Sequence, residues 1–131
     1  MTIARPVLRA VIDDATRASP RECCGLLLGT DDRIVEAVRA RNLAESASRY
    51  LIDPEDHIRA RRDARVRALE VVGFYHSHPA SRAWPSPSDI AEASDEDAVW
   101  MIVGVSQGEP EIRLFAIANG QARELTYDVD G

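Results

Sequence analysis

One β-rich run, EVVGFYHSHP from residue 70, places two histidines near the end of an apolar strand. Side chains of a strand alternate between its two faces, so His76 and His78 project to the same side, about 6.5–7 Å apart along the strand. The same alternation puts Val72 and Phe74 on that face. The proline that follows cannot continue the strand ladder. The run therefore predicts a central strand whose C-terminal end carries two imidazoles that can converge on one ion.

A proline-rich loop separates the histidines from a helix start, Ser86-Pro87-Ser88-Asp89. A serine N-cap, a proline at the first helical position and an acid at the third are typical of such a start. Asp89 has two interpretations: it only caps the helix, or it also reaches the strand end and joins the histidines. Two imidazoles and a carboxylate would be three ligands of a tetrahedral zinc site, with the fourth position left for water.

A hydrolytic zinc site also needs a carboxylate that is near the metal but is not a ligand, to act as general base. Glu22 is the best candidate, because it stands at the entrance of the apolar run 23–28, where a charge has no packing role. The alternative is a solvent-facing residue at a strand end. The sequence has no H-E-x-x-H and no P-C-x-x-C motif, and the third histidine, His57, is expected at the surface.

The rest of the chain predicts an α/β fold. A hairpin turn is expected at Asn119-Gly120, the strongest short signal for such a turn. We expect a single domain over residues 1–131, with a central, mixed, mostly antiparallel sheet flanked by helices. The predicted strands lie at 22–29, 33–40, 48–52, 70–79, 98–106, 111–118 and 122–129, and the predicted helices at 6–20, 53–70 and 86–94.

Composition narrows the classes of partner and the compartment. The net charge of −6 argues against a general nucleic-acid or anionic-membrane binder, and all 16 basic residues other than histidine are arginine. Cys23 and Cys24 are adjacent in a strand, which makes them poor disulfide partners. Charges at 5, 9, 13 and 14 interrupt any apolar signal sequence, and no apolar stretch approaches the roughly 20 residues of a membrane helix. We therefore expect a cytoplasmic protein.

Three separated motifs carry a family resemblance: E-C-C-G-L-L-L-G, then H-S-H-P, then S-P-S-D, with the seven residues 79–85 between His78 and Ser86. In this order and spacing they resemble the JAMM (MPN+) zinc metallopeptidase family, in a compact prokaryotic form. The resemblance implies that His76, His78 and Asp89 are zinc ligands. It also implies that Glu22 is the catalytic general acid and base, and that Ser86 steadies the oxyanion.

The resemblance also implies a substrate class. Family members hydrolyse amide or isopeptide bonds after the C-terminal Gly-Gly tail of ubiquitin-like proteins, or of sulfur-carrier proteins in bacteria. Release of cysteine from a sulfur-carrier adduct is one such reaction. Trp84, in the loop beside the histidines, is either a substrate-binding residue or an anchor of that loop on the body. The sequence leaves both monomer and homodimer open.

Two other functions stay open from the sequence. The first is a non-catalytic MPN scaffold or interaction module with bound zinc. The second is thiol chemistry at Cys23 or Cys24, although their place in an apolar strand favours small core residues.

Overall fold

The computed structural model describes residues 1–131, which form one mixed sheet and three helices. The elements are β1 (Thr2–Ala4), α1 (Arg5–Ala18), β2 (Cys24–Thr30), β3 (Arg33–Ala40), α2 (Pro54–Val66), β4 (Glu70–His78), α3 (Pro87–Glu92), β5 (Val99–Gly104), β6 (Glu111–Ala118), β7 (Gln121–Leu125) and β8 (Asp128–Asp130). The strand order is β7-β6-β5-β4-β2-β3-β1-β8. Four of the seven neighbouring pairs are antiparallel and three are parallel, so the prediction of a mixed, mostly antiparallel sheet flanked by helices is confirmed.

Two apolar clusters pack on opposite faces of this sheet, because neighbouring side chains in a strand alternate between faces. Leu27 and Tyr75 pack in one cluster with the apolar stripe of α1. Leu26 and Phe74 pack in the other, together with Ala60 of α2. The helices α1 and α2 therefore cover different faces, and β4 is buried between them.

A bulge in β4 changes the expected alternation. Leu27 pairs with Gly73 and Leu28 pairs with Val71, so Val72 has no partner in β2. Val72 packs against the α1-side cluster, whereas Phe74 lies in the α2-side cluster. The prediction that Val72 shares the face of the histidines is wrong, because an extra residue in one strand reverses the facing of what precedes it.

The last part of the chain differs from the single strand predicted at 122–129. The hairpin turn is confirmed, since Asn119 and Gly120 both have positive φ, +55° and +73°, and join β6 to β7. β7 then ends at Leu125, and β8 pairs in parallel with β1 at the opposite edge of the sheet. The Asn-Gly pair predicts the turn from two neighbouring residues. The pairing of β8 with β1 depends on residues at the other end of the chain, so no local pattern predicts it.

The segment between β3 and α2 is mostly loop. The strand predicted at 48–52 is wrong: one isolated bridge, between Asn42 and Ile52, is its only ladder contact. The helix predicted at 53–70 is present as α2, with Asp53 as its N-cap. The Asp53 Oδ1 accepts a hydrogen bond from the Glu55 N–H at 2.9 Å. None of the three helices has both the length and the apolar character needed to cross a bilayer.

Candidate metal centre

Three elements meet at one end of the sheet. β4 ends at His78, Glu22 lies just before β2, and Asp89 lies in the first turn of α3. β2 and β4 are antiparallel, with Cys24 opposite His76, so the beginning of β2 lies beside the end of β4. The fold thus brings together residues that are far apart in the sequence.

Ser77 fastens the two strand ends to each other. Its Oγ accepts a hydrogen bond from the Cys23 N–H at 2.8 Å, and its own N–H donates to the Cys23 carbonyl at 3.1 Å. Ser77 is fully buried, on the face opposite to the histidines on either side of it. These contacts give Ser77 a structural task in joining β2 to β4.

The two histidines and the aspartate converge on one point. The Nε2 atoms of His76 and His78 lie 3.2 Å apart, and each lies 3.1 Å from Oδ2 of Asp89. A metal ion held tetrahedrally by nitrogen and oxygen ligands at 2.0–2.1 Å requires ligand atoms about 3.3 Å apart. The triangle therefore fits the ligand set of a divalent metal ion almost without rearrangement.

His78 has its ring orientation fixed by the loop that follows it. Its Nδ1 lies 2.8 Å from the carbonyl oxygen of Arg82. A carbonyl oxygen only accepts, so Nδ1 carries the proton, and in the neutral ring Nε2 keeps its lone pair toward the triangle. Arg82 is held in turn by a two-point ion pair with Glu111, at 2.7 and 3.0 Å.

In the metal-free protein, burial and hydrogen bonds shift the pKa values of all three side chains of the triangle. Burial lowers the pKa of His76, so its ring is neutral at pH 7. Burial alone would lower the pKa of His78 and raise that of Asp89, but the hydrogen bonds between them outweigh burial. The pKa of His78 is therefore raised and that of Asp89 falls well below its ordinary value. Asp89 is thus an anion that can bind a cation.

Asp89 performs both tasks that the sequence suggested for it. Ser86 Oγ accepts a hydrogen bond from the Asp89 N–H at 3.1 Å, and the Ser86 N–H donates to Asp89 Oδ2 at 2.9 Å, which is a capping box. The same Oδ2 faces the histidines, because a carboxylate oxygen has more than one lone pair.

Glu22 is buried next to the triangle rather than facing solvent. It is 6% exposed, and its Oε1 meets no hydrogen-bond donor. Ligand atoms of Glu22, His76 and His78 all lie within 4.8 Å of one another, but Asp89 Oδ2 is closer to both imidazoles. Burial raises the pKa of Glu22 to about 7. A carboxyl group with this pKa can both accept and return a proton near neutral pH.

Tyr50 also contacts the triangle, although no sequence pattern predicted it there. Its ring stacks on the ring of His76, with the centroids 4.3 Å apart and an angle of 19° between the planes. Tyr50 belongs to the loop 41–53, where no periodic pattern marks it, so its only signal is that it is the one aromatic residue of a polar segment.

Trp84 and His57 both contact the body of the protein. The Trp84 ring lies 5.6 Å from that of Phe115, and the Arg113 guanidinium lies over it at 4.6 Å, yet 48% of Trp84 remains exposed. His57 was expected at the surface, but it is half-buried with its ring edge against Phe74 at 5.5 Å. The structure thus gives Trp84 an anchoring contact and leaves about half of the residue exposed.

The two cysteines do not form a thiol centre. Both are buried and free, and burial raises the pKa of Cys23 and of Cys24 to about 12. A reactive cysteine needs a lowered pKa, because the thiolate is the nucleophile. These residues are small core side chains, as their place in an apolar strand predicts.

Comparison with known proteins gives concordant results. The family model for prokaryotic homologs of the JAB domain matches residues 4–118. A desampylase from Pyrococcus furiosus is 33% identical over 103 residues, which covers 79% of this chain and 73% of that protein. A CysO-cysteine peptidase from Mycobacterium tuberculosis is 31% identical over 133 residues, which covers 98% of this chain and 90% of that protein. The crystal structure of a JAB1/MPN domain protein from Archaeoglobus fulgidus covers 98% of both chains with a TM-score of 0.67 at 22% identity, which shows a shared fold.

Proposed function

Because the chain belongs to the family of prokaryotic homologs of the JAB domain, we propose that it is a JAMM-type isopeptidase that uses zinc. The predicted family resemblance is confirmed by the family match. The donor set supports zinc among the divalent ions, since two imidazoles, one carboxylate and an open fourth position are typical of catalytic zinc. The convergence of His76, His78 and Asp89 within 3.1–3.2 Å of one another is the observation that carries the proposal.

The substrate that we propose is a ubiquitin-like or sulfur-carrier protein joined through its C-terminal Gly-Gly tail to an amine. The names of the two relatives, a desampylase and a CysO-cysteine peptidase, support this class. Two glycines lack Cβ atoms and can lie extended in a narrow cleft, where they can add to a strand edge. Release of cysteine from a sulfur-carrier adduct is one reaction within this class.

Each protein group then has a defined task. Zinc bound by the triangle would supply Lewis-acid chemistry, which polarises a carbonyl group and makes water nucleophilic at neutral pH. Glu22 accepts the proton of the attacking water on its carboxylate and returns it to the leaving nitrogen. The Ser86 hydroxyl, whose oxygen already accepts from the Asp89 N–H, has its own hydrogen free to donate to the oxyanion. Trp84 offers its exposed face to the substrate.

We also propose a cytoplasmic location. Cys23 and Cys24 are both free and buried, which agrees with a reducing compartment, where disulfide bonds are rare. Neither a nucleic acid nor a membrane is part of this proposal, given the net charge of −6.

The alternative of a non-catalytic scaffold with structural zinc makes a different demand on Glu22. Structural zinc sites are usually closed by four protein ligands. Here the one remaining candidate for a fourth ligand is Glu22, with its ligand atom within 4.8 Å of both histidines. A structural role would therefore make zinc affinity depend on Glu22, whereas a general base can lose its carboxylate without losing the metal.

The test is cleavage of a sulfur-carrier or ubiquitin-like protein whose Gly-Gly tail is extended by one amino acid, with the products weighed by mass spectrometry. We expect the zinc-loaded protein to cleave after the second glycine and a chelator to stop the reaction. Glu22→Gln should lower the rate by roughly 10²- to 10⁴-fold while keeping one zinc per chain.

Glu109→Gln is the matched control, because the same change at an exposed loop residue should leave the rate unaltered. Undiminished cleavage by Glu22→Gln would contradict the catalytic proposal. Loss of zinc from that variant would favour the scaffold.

A further inference from the structure

The two candidate histidine ligands are oriented by different means. Nδ1 of His78 is bonded to the Arg82 carbonyl at 2.8 Å. The hydrogen bonds of His76 all involve Nε2, and no protein group bonds its Nδ1. Metal-ligating histidines almost always have the second ring nitrogen hydrogen-bonded, which fixes the ring. No protein group therefore fixes the plane of the His76 ring through Nδ1.

Tyr50 contacts the face of the His76 ring. Its ring lies nearly parallel to the His76 ring, at 19°, with a centroid distance of 4.3 Å. A flat neighbour at this distance opposes rotation of the imidazole about its own χ2, because turning the ring would drive its edge into the tyrosine face. The Tyr50 hydroxyl makes no hydrogen bond with the protein, so the aromatic ring carries the interaction.

Asn42 holds the backbone on both sides of Tyr50. Its Nδ2 donates to the Arg49 carbonyl at 3.1 Å, and its Oδ1 accepts from the Leu51 N–H at 3.0 Å. These are the residues immediately before and after Tyr50. The tyrosine is thus clamped at its two neighbours, although it lies in a loop.

Two further hydrogen bonds of the Asn42 side chain connect the Tyr50 loop to Glu22, the candidate general base. Its Nδ2 also donates to the Glu22 carbonyl at 3.0 Å, and its Oδ1 also accepts from the Ala44 N–H at 2.9 Å. An asparagine amide has two N–H donors and two acceptor lone pairs, and all four are used here. One side chain therefore ties the Tyr50 loop to the backbone of Glu22.

We infer that Tyr50 and Asn42 are positioning residues: Tyr50 holds the His76 ring in its metal-binding orientation, and Asn42 holds Tyr50 in register with Glu22. The inference rests on the proposed function in taking His76 as a metal ligand. It assigns a task to the loop 41–53 that is separate from contact with the substrate, because it acts on the site before any substrate arrives.

The test is zinc affinity in the absence of substrate, measured by competition with a chromophoric chelator. Tyr50→Leu removes the stack but keeps an apolar side chain, and Tyr50→Phe keeps the stack and removes only the hydroxyl. We expect the dissociation constant of zinc to rise roughly two- to tenfold in Tyr50→Leu, in line with the strength of an aromatic pair, and to stay at the wild-type value in Tyr50→Phe. Equal zinc affinity in the wild type and Tyr50→Leu would overturn the inference.

A second measurement uses His78 as an internal reference. In the metal-free protein, the imidazole NMR signals of His76 should broaden or shift in Tyr50→Leu, while those of His78, held by Arg82, should stay in place. A general loss of structure would change both histidines alike and would overturn the assignment.

Asn42→Ala should weaken zinc binding in the wild-type background and have no further effect in Tyr50→Leu, because Asn42 acts through Tyr50. Additive effects would contradict this order of action. A wild-type protein that binds no zinc would instead overturn the proposed function, and this inference with it.

Discussion

Glu22 is a carboxyl group buried beside two imidazoles, with an oxygen that meets no donor. A buried polar atom without a partner costs a folded protein about 1–3 kcal/mol. No packing requirement explains a charge at the start of an apolar strand, and this cost to stability agrees with the catalytic role that we propose for Glu22. Glu22 is proposed as the general base on two observations: a charged residue directly precedes an apolar strand in the sequence, and the structure buries it beside the two imidazoles.

This cost predicts how stability depends on pH in the metal-free protein. The pKa of Glu22 is raised from 4.5 to about 7, so the folded state binds its proton more tightly than the unfolded state does. The stabilisation from this proton is complete below about pH 4.5 and is lost as the pH rises through 7. Glu22→Gln should therefore be more stable than the wild type at pH 8, by about 2–3 kcal/mol, and similar to it at pH 4.

Urea unfolding of the two metal-free proteins at both pH values measures this difference, with Glu109→Gln as the control for loss of an exposed charge. Equal stabilities at pH 8 would show that Glu22 is not a destabilising anion in the folded state.

Helix α3 is too short to be stable without its neighbours, since isolated helices below about 12 residues are marginal. Its start is instead fixed by the capping box between Ser86 and Asp89. The box aims the Asp89 carboxylate at the histidines, so the cap of the helix and the third ligand that we propose are the same side chain. Pro87 suits the first position of the helix, because a backbone N–H there would have no partner within the helix.

Ser86→Ala removes the side-chain half of this box and also the hydroxyl proposed as an oxyanion donor. We expect a loss of about 1 kcal/mol of stability from the cap. We also expect kcat to fall roughly 100-fold from the missing donor. Steady-state kinetics and thermal unfolding measure the two effects. Ser88→Ala is the control, because Ser88 is an exposed serine two residues further along the same helix start. A kcat that falls no more than in Ser88→Ala would remove Ser86 from the catalytic assignment.

Elements with a local signal were predicted well. The Asp53-Pro54 start of α2, the Asn119-Gly120 turn and the strand that ends at His78 follow from capping, turn and alternation rules. Two short strands were not predicted, because β1 and β8 are three residues each and owe their strand conformation to distant partners. β1 pairs with β3 and β8, and β8, at the edge of the sheet, pairs with β1 alone. The strand predicted at 48–52 is absent. The backbone there bonds to the Asn42 side chain, at Arg49 and Leu51, and makes one isolated bridge instead of a strand ladder.

Across the whole molecule, the site depends on sheet order. β4 lies in the middle of the sheet, between β2 and β5, so its end can meet both the start of β2 and the helix α3. The residues Glu22, His76, His78 and Asp89 were predicted from local motifs and from the family resemblance that joins them. Tyr50 and Asn42 were not, because their roles come from contacts with residues about 20 to 30 positions away, and no spacing rule reports such contacts.

We propose that one metal ion lies between the side chains of His76, His78 and Asp89. The most direct measurement is a crystal structure of the zinc-loaded protein, with anomalous scattering recorded on both sides of the zinc absorption edge. We predict a single peak at about 2.0–2.2 Å from His76 Nε2, His78 Nε2 and Asp89 Oδ2. A map with no peak between these atoms, or a zinc ion bound elsewhere while the three side chains point apart, would contradict the account.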